Sequence, residues 1–173
     1  MRTLVIGGAA SGKSAFAENL AVSGKAPLCY IATMMPHDEE SRARISKHRE
    51  QRAQKSFATI ECYTGLDLLC LPVRGTVLLE CIGNLTANEM FTPDGAGSRT
   101  AEAILCGFEK LAVQCDDLVV VSNDVFSDGC EYDESTRLYM ETIAAVNRAV
   151  ARNFDRVIEV VCGIPIVHKG VLT

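Results

Sequence analysis

Gly7-Gly8-Ala9-Ala10-Ser11-Gly12-Lys13-Ser14 follows the apolar run Leu4-Val5-Ile6 and precedes a stretch carrying Phe16, Ala17 and Leu20 at helical spacing. A strand, a G-x-x-x-x-G-K-S turn and a helix in that order make a phosphate-binding loop. Glycine lets successive backbone N–H groups converge on one point, and the helix N-terminus adds partial positive charge there. Gly7, Gly8, Ala9, Ala10, Ser11 and Gly12 are therefore read as a cradle for nucleotide phosphates, with Ser11 shaping the loop. Lys13 would reach the outer phosphates, and the Ser14 hydroxyl would ligate a Mg²⁺ ion bridging them.

Outward from this loop, short apolar runs alternate with longer amphipathic stretches, as expected of parallel strands buried beneath crossover helices. Strands are expected over 3–6, 28–32, 76–81, 118–122 and 156–161, with a weaker one over 58–62. Helices are expected over 13–23, 38–52, 98–114 and 134–152. The fold class is α/β, a mostly parallel sheet with flanking helices, whose strand-to-helix loops share one edge and gather the functional residues. Residues 83–97 read as an irregular surface connection or small lid containing the turn Thr92-Pro93-Asp94-Gly95.

A length of 173 residues suits one catalytic domain over 1–173, and 48% hydrophobic with 23% charged residues is an ordinary globular balance. A net charge of −5 argues against an extended nucleic-acid surface. Eight cysteines lie scattered without a C-x-x-C pair, several in apolar runs such as Leu28-Cys29-Tyr30-Ile31. Buried reduced thiols imply a cytoplasmic protein. The N-terminus has no secretory leader pattern, and no run is long enough to span a bilayer.

Two acids end apolar strands and are candidates for the metal side of the site: Glu80 after Val77-Leu78-Leu79, and Asp124 after Val119-Val120-Val121. Glu80 is favoured because its strand runs directly into a polar loop. Residues 38–52 begin acidic and end basic, in keeping with the helix dipole. Arg44, His48 and Arg52 recur every fourth position and share one helical face, a cationic stripe around a single imidazole. His48 reads either as a nucleophile toward phosphorus or as a surface histidine. The surrounding Arg44, Lys47, Arg49 and Arg52 would disfavour a second proton on the ring by like-charge repulsion. His37 reads as a helix-start residue and His168 as a tail residue. Glu61 would accept hydrogen bonds from a ribose or guanine edge, and Thr33 would face the nucleotide.

The ordered set of motifs resembles one family closely. It comprises the loop at 7–14, Tyr30-Ile31-Ala32-Thr33, Arg44-Ile45-x-x-His48-Arg49-x-x-Arg52, Thr59-x-Glu61 and Leu78-Leu79-Glu80-Cys81, continuing through Val121-Ser122-Asn123-Asp124-Val125 and Val161-Cys162-Gly163-Ile164-Pro165. Together these resemble the bifunctional adenosylcobinamide kinase and adenosylcobinamide-phosphate guanylyltransferase family over nearly the whole chain.

The resemblance implies a P-loop NTPase (RecA-like) architecture that phosphorylates adenosylcobinamide and caps adenosylcobinamide phosphate with GMP, using GTP, ATP and Mg²⁺. It implies a guanylylated histidine at His48 and nucleotide contacts from Ala32, Thr33, Met34, Arg49, Glu50, Gln51, Arg52, Glu61 and Glu80. It also implies a homo-oligomer, a trimer. The chain carries Phe57 where some members have Trp, and it departs from the family's pattern over 126–133. Two other readings fit the loop alone: a P-loop kinase of another small molecule, and a noncatalytic GTP-binding module. The guanine-specific N-K-x-D motif of such modules is absent from this sequence.

Overall fold

Alternate residues along each central strand enter different apolar clusters, so both faces of the sheet are covered. The structure, a computed structural model, describes residues 1–53, 55–125 and 132–172, and Gln51 through its backbone only. Its elements are β1 (Arg2–Gly7), α1 (Lys13–Val22), β2 (Leu28–Ala32), α2 (Glu39–Arg52), β3 (Phe57–Glu61), β4 (Thr76–Glu80), α3 (Ile82–Phe91), α4 (Thr100–Gln114), β5 (Asp117–Asn123), α5 (Glu134–Asn153), β6 (Arg156–Val161) and β7 (Ile164–Lys169). The sheet order is β3-β2-β4-β5-β1-β6-β7. Every pairing is parallel except β6 with β7.

Leu4, Val77, Leu79, Leu118 and Val120 pack with Leu85 of α3, Ile104 and Phe108 of α4, and Ile143 and Val146 of α5. Val5, Leu78, Val119, Val121 and Ile158 instead pack with Ala17 and Ala21 of α1. A strand buried on both faces has no solvent side to mark with polar residues, which is why these segments read as unbroken apolar runs. Each fully buried aliphatic side chain contributes about 1.5–3 kcal/mol.

This order places β5 between the strand that feeds the phosphate loop and β4, the strand that ends in Glu80. With helices on both faces and the G-x-x-x-x-G-K-S turn joining β1 to α1, the architecture is that of a P-loop NTPase. Cys29, Cys62, Cys81 and Cys115 are buried free thiols, and the seven cysteines among the described residues are all unbridged. Burial pushes the Cys29 and Cys62 thiols up to about 11.

Three expectations change. Residues 82–91, overlapping the stretch 83–97 read as an irregular connection, form α3, with Ile82, Leu85, Thr86 and Glu89 buried along one side. The apolar spacing is helical, but Gly83, Asn84 and Asn88 weaken its local signal. The Thr92–Gly95 turn does form, Gly95 N–H donating to Thr92 O at 3.1 Å. Second, a seventh strand, β7, folds back on β6. Third, His168 therefore sits in a strand, 2.8 Å from the Glu159 carboxylate, rather than in a tail. The departure noted over 126–133 lies largely outside the described residues.

A buried helix and a surface lid differ in what truncation costs. Leu85→Ala is expected to destabilise the protein by about 2–5 kcal/mol, measured by urea unfolding. A loss below about 1 kcal/mol would mark a surface segment instead.

Candidate functional site

The loop owes its shape to left-handed backbone. Gly12 has φ +91°, and a Cβ built there would lie 3.2 Å from the Gly163 Cα. Gly163 and the preceding Cys162 form the two-residue tip of the β6–β7 hairpin, both with positive φ (80° and 51°), as a type I′ turn requires. From that tip the Gly163 N–H donates to Ser11 O at 2.8 Å. Gly7 is equally confined, since a Cβ there would lie 2.6 Å from Ser11 Oγ and from Val160 O. Ala9 and Ala10 face solvent, and the Ser11 hydroxyl is enclosed without a partner. The hairpin thus forms one wall of the cradle.

Lys13 lies at the base of the loop, buried, its Nζ donating to Gly8 O at 3.0 Å. Burial lowers its pKa, and nearby Arg44 adds to the effect, while Cys81 and Glu80 oppose it. Ser14 Oγ donates to Glu80 Oε1, and Tyr30 donates its phenolic O–H to Glu80 Oε2 at 3.1 Å. Burial first, and the Glu80 charge second, hold the Tyr30 phenol far above its ordinary range, so it remains a donor. The strand order carries Glu80 across to Ser14. Asp124, the other candidate, takes its place through its backbone N–H, which donates to Gly7 O at 3.0 Å.

Helix α2 docks by charge. Asp38 caps it in a reciprocal capping box with Ser41, but the helix brings almost no apolar surface. Arg52 is buried with its guanidinium 3.4 Å from the Tyr30 ring centre, the geometry of a cation–π contact. Glu18 of α1, 3% exposed, binds Lys55 at 2.7 Å and stands 3.9 Å from Arg52 Nη1. Arg49 pairs with Glu61 at 2.7 Å, and Tyr63 donates to the same carboxylate at 2.9 Å.

His48 is half-buried between two recesses. On one side it lines a groove with Arg44, Lys47 and residues 10–15 of the loop and the first turn of α1. On the other it lines a pocket with Lys13, Ser14, Ala32, Met34, Arg49, Arg52, Glu61 and Glu80. Its Nδ1 is enclosed without a hydrogen-bond partner. One ring nitrogen of His48 and one carboxylate oxygen each of Glu18 and Glu80 all lie within 4.8 Å of one another. Thr33 and Glu50 stand apart from the lining of both recesses. Thr33 is fully buried, exchanging hydrogen bonds with the Cys81 backbone, and Glu50 is exposed and accepts from Ser46. The Gln51 side chain lies outside the described residues.

Sequence reasoning gave no site role to Glu18, Tyr30, Lys55, Asn84 and Asn123, although Tyr30 and Asn123 stood in the motifs quoted, and the fold brings all five to this region. Glu18 carried a signal: it stands four residues after Ser14, beneath it on the same helical face. Asn84 and Asn123 are placed by α3 and by the end of β5, and neither local sequence announces the meeting.

Fold and site together define a P-loop nucleotide-binding protein. Residues 3–168 match the family described as "Cobinamide kinase / cobinamide phosphate guanyltransferase". The bifunctional adenosylcobalamin biosynthesis protein CobU of Salmonella typhimurium is 33% identical, over 98% of this chain and 100% of its own. CobP of Pseudomonas aeruginosa, with the same description, is 32% identical over 98% of both chains. The chain belongs to this cobinamide kinase and guanylyltransferase family. The solved P4 protein from bacteriophage phi6 in complex with ADP is a looser likeness. Its TM-score is 0.41 at 15% identity, over 95% of this chain but only 52% of that one.

Gly12→Ala is expected to weaken nucleotide binding about tenfold, because the left-handed conformation costs a Cβ-bearing residue about 1–2 kcal/mol and the added carbon meets the hairpin tip. Titration calorimetry with GTP and Mg²⁺ checks this, and unchanged affinity would refute it.

Proposed function

We propose that the chain phosphorylates the aminopropanol hydroxyl of adenosylcobinamide and then transfers GMP from GTP to adenosylcobinamide phosphate through a guanylylated His48, in assembly of the cobalamin nucleotide loop. The observation that carries this reading is the position of His48, with the phosphate loop on one side and the Ser14–Glu80 pair on the other.

Gly7 to Ser14 hold the phosphates, and Lys13 exchanges its contact with Gly8 O for the outer phosphate oxygens. Ser14 Oγ and the Glu80 carboxylate are hard oxygen donors of the kind Mg²⁺ takes. When bound there, the ion neutralises phosphate charge. A loop that grips phosphates through its backbone does not read the base, so ATP and GTP both fit the kinase step.

In the transferase step an imidazole nitrogen of His48 attacks the α-phosphorus of GTP. The bond from that phosphorus to the bridging oxygen breaks, and pyrophosphate leaves. Arg44, Arg49 and Arg52, which line the pocket, meet the departing charge. An oxygen of adenosylcobinamide phosphate then attacks the same phosphorus and frees the imidazole. Ala32, Met34 and Glu61 border the pocket where the nucleoside extends. Thr33 acts from behind it by locking the segment after β2 to Cys81.

The protein works as one domain in the cytoplasm, as a homotrimer. Four buried free thiols support a reducing compartment, and among the described residues no helix is long and apolar enough to cross a membrane. Ile164 and Ile166 of the edge strand β7 are 65% and 43% exposed, apolar surface that association would cover. The trimeric number rests on family resemblance.

Incubation with α-labelled GTP is expected to leave an acid-labile, base-stable label on the wild type and none on His48→Ala. Phosphorylation of adenosylcobinamide by His48→Ala should stay within about threefold of wild type. Absence of label on the wild type would overturn the transferase step.

A further inference from the structure

Glu18 has no part in the steps above, yet it is a nearly fully buried carboxylate beside the nucleophile. Three observations converge on it. Its Oε2 holds Lys55 at 2.7 Å, while its Oε1 stands 3.9 Å from Arg52 Nη1, beyond hydrogen-bonding distance, which leaves acceptor capacity on that oxygen. His48 Nδ1 is enclosed and lacks a partner. A ring nitrogen of His48 lies within 4.8 Å of a Glu18 oxygen. Which imidazole nitrogen carries the proton is set by the hydrogen bonds the ring makes, and Glu18 offers a nearby acceptor for an Nδ1–H.

We infer that Glu18 is a positioning residue for guanylylation, accepting a hydrogen bond from His48 Nδ1–H so that Nε2 is left as the attacking nitrogen. The inference rests on the proposed guanylyl-histidine. The other carboxylate of the trio is committed elsewhere, since Glu80 accepts from both Ser14 and Tyr30. A cation shared by the three residues is disfavoured, because Lys55 and Arg52 already place two positive charges against Glu18.

The step balances without a further reactant. The Nε2 lone pair forms the bond to the α-phosphorus as the bond to the bridging oxygen breaks and pyrophosphate departs. The Nδ1 proton stays on the ring, and the Glu18 carboxylate offsets the positive charge that the ring acquires. The same contact restores the tautomer when the acceptor phosphate removes GMP. Glu18 thus does for His48 what an orienting carboxylate does for imidazole in hydrolytic triads, from the helix that carries the phosphate loop.

Two measurements test this. In protein labelled with ¹⁵N-histidine and guanylylated with GTP, phosphorus–nitrogen coupling should place GMP on Nε2 of His48; attachment at Nδ1 overturns the inference whatever any variant does. In single turnovers with α-labelled GTP, Glu18→Gln should slow covalent labelling by about tenfold or more, with half-saturating GTP within about threefold of wild type. Glu18→Asp should recover part of the rate, and Lys55→Met, which removes the ammonium that holds Glu18 Oε2 and contacts Asn19 but leaves the carboxylate in place, should slow labelling less than Glu18→Gln does. If Glu18→Gln labels at the wild-type rate, or Lys55→Met falls equally far, Glu18 merely anchors the basic segment and the inference fails. A wild type that takes no label refutes the guanylyl-histidine reading itself, a result distinct from all of these.

Discussion

Two-sided burial of the parallel sheet is the constraint from which the rest follows. Leu78, Leu79, Val119, Val120 and Val121 are at most 3% exposed, which leaves no room for polar chemistry on either face. Polar groups collect where strands end. Gly7, Ala32, Glu61, Glu80 and Asn123 are the last or first-following positions of five neighbouring parallel strands, and they come together because the strands are in register. The chemistry is set by the core that excludes it.

Against that apolar frame, α2 is attached by a different kind of force. Its contacts are a cation over an aromatic ring, ion pairs to Glu18 and Glu61 flanking the helix, and a capped N-terminus. Several of these partners also border the pocket, so the groups that hold the helix and the groups that would meet a charged ligand are largely shared. Buried Arg52 and Glu18 are costly to desolvate; mutual pairing and the Tyr30 face offset that cost and fix the orientation of the stripe that includes His48.

Local signals made much of this legible. The G-x-x-x-x-G-K-S turn located the loop, apolar runs located six of seven strands, and the four-residue spacing of Arg44, His48 and Arg52 put them on one face. Signals weaken where the deciding contacts are distant. Helix α3 was hidden because Asn88, a poor helix former, is there to bind the carbonyls of Thr33 and Tyr63, and Glu89 to accept from the Gly65 and Ala96 N–H groups. Strand β7 was hidden because an exposed edge strand carries no buried run. The reach of Glu80 to Ser14 depends on strand order, which no spacing along the chain encodes. Thr33 illustrates the reverse: a hydroxyl beside the site in sequence turns away to join two strand ends.

The hairpin tip at Cys162 and Gly163 gives the molecule an order of completion. The cradle begins at the seventh residue, yet its wall is supplied by a turn more than 150 positions later. A chain emerging from the ribosome displays the whole glycine motif early, but that motif lacks its brace and its neighbouring strand β6 until the hairpin is made. The loop therefore reaches its braced shape only when β6 and the hairpin tip have packed beside β1.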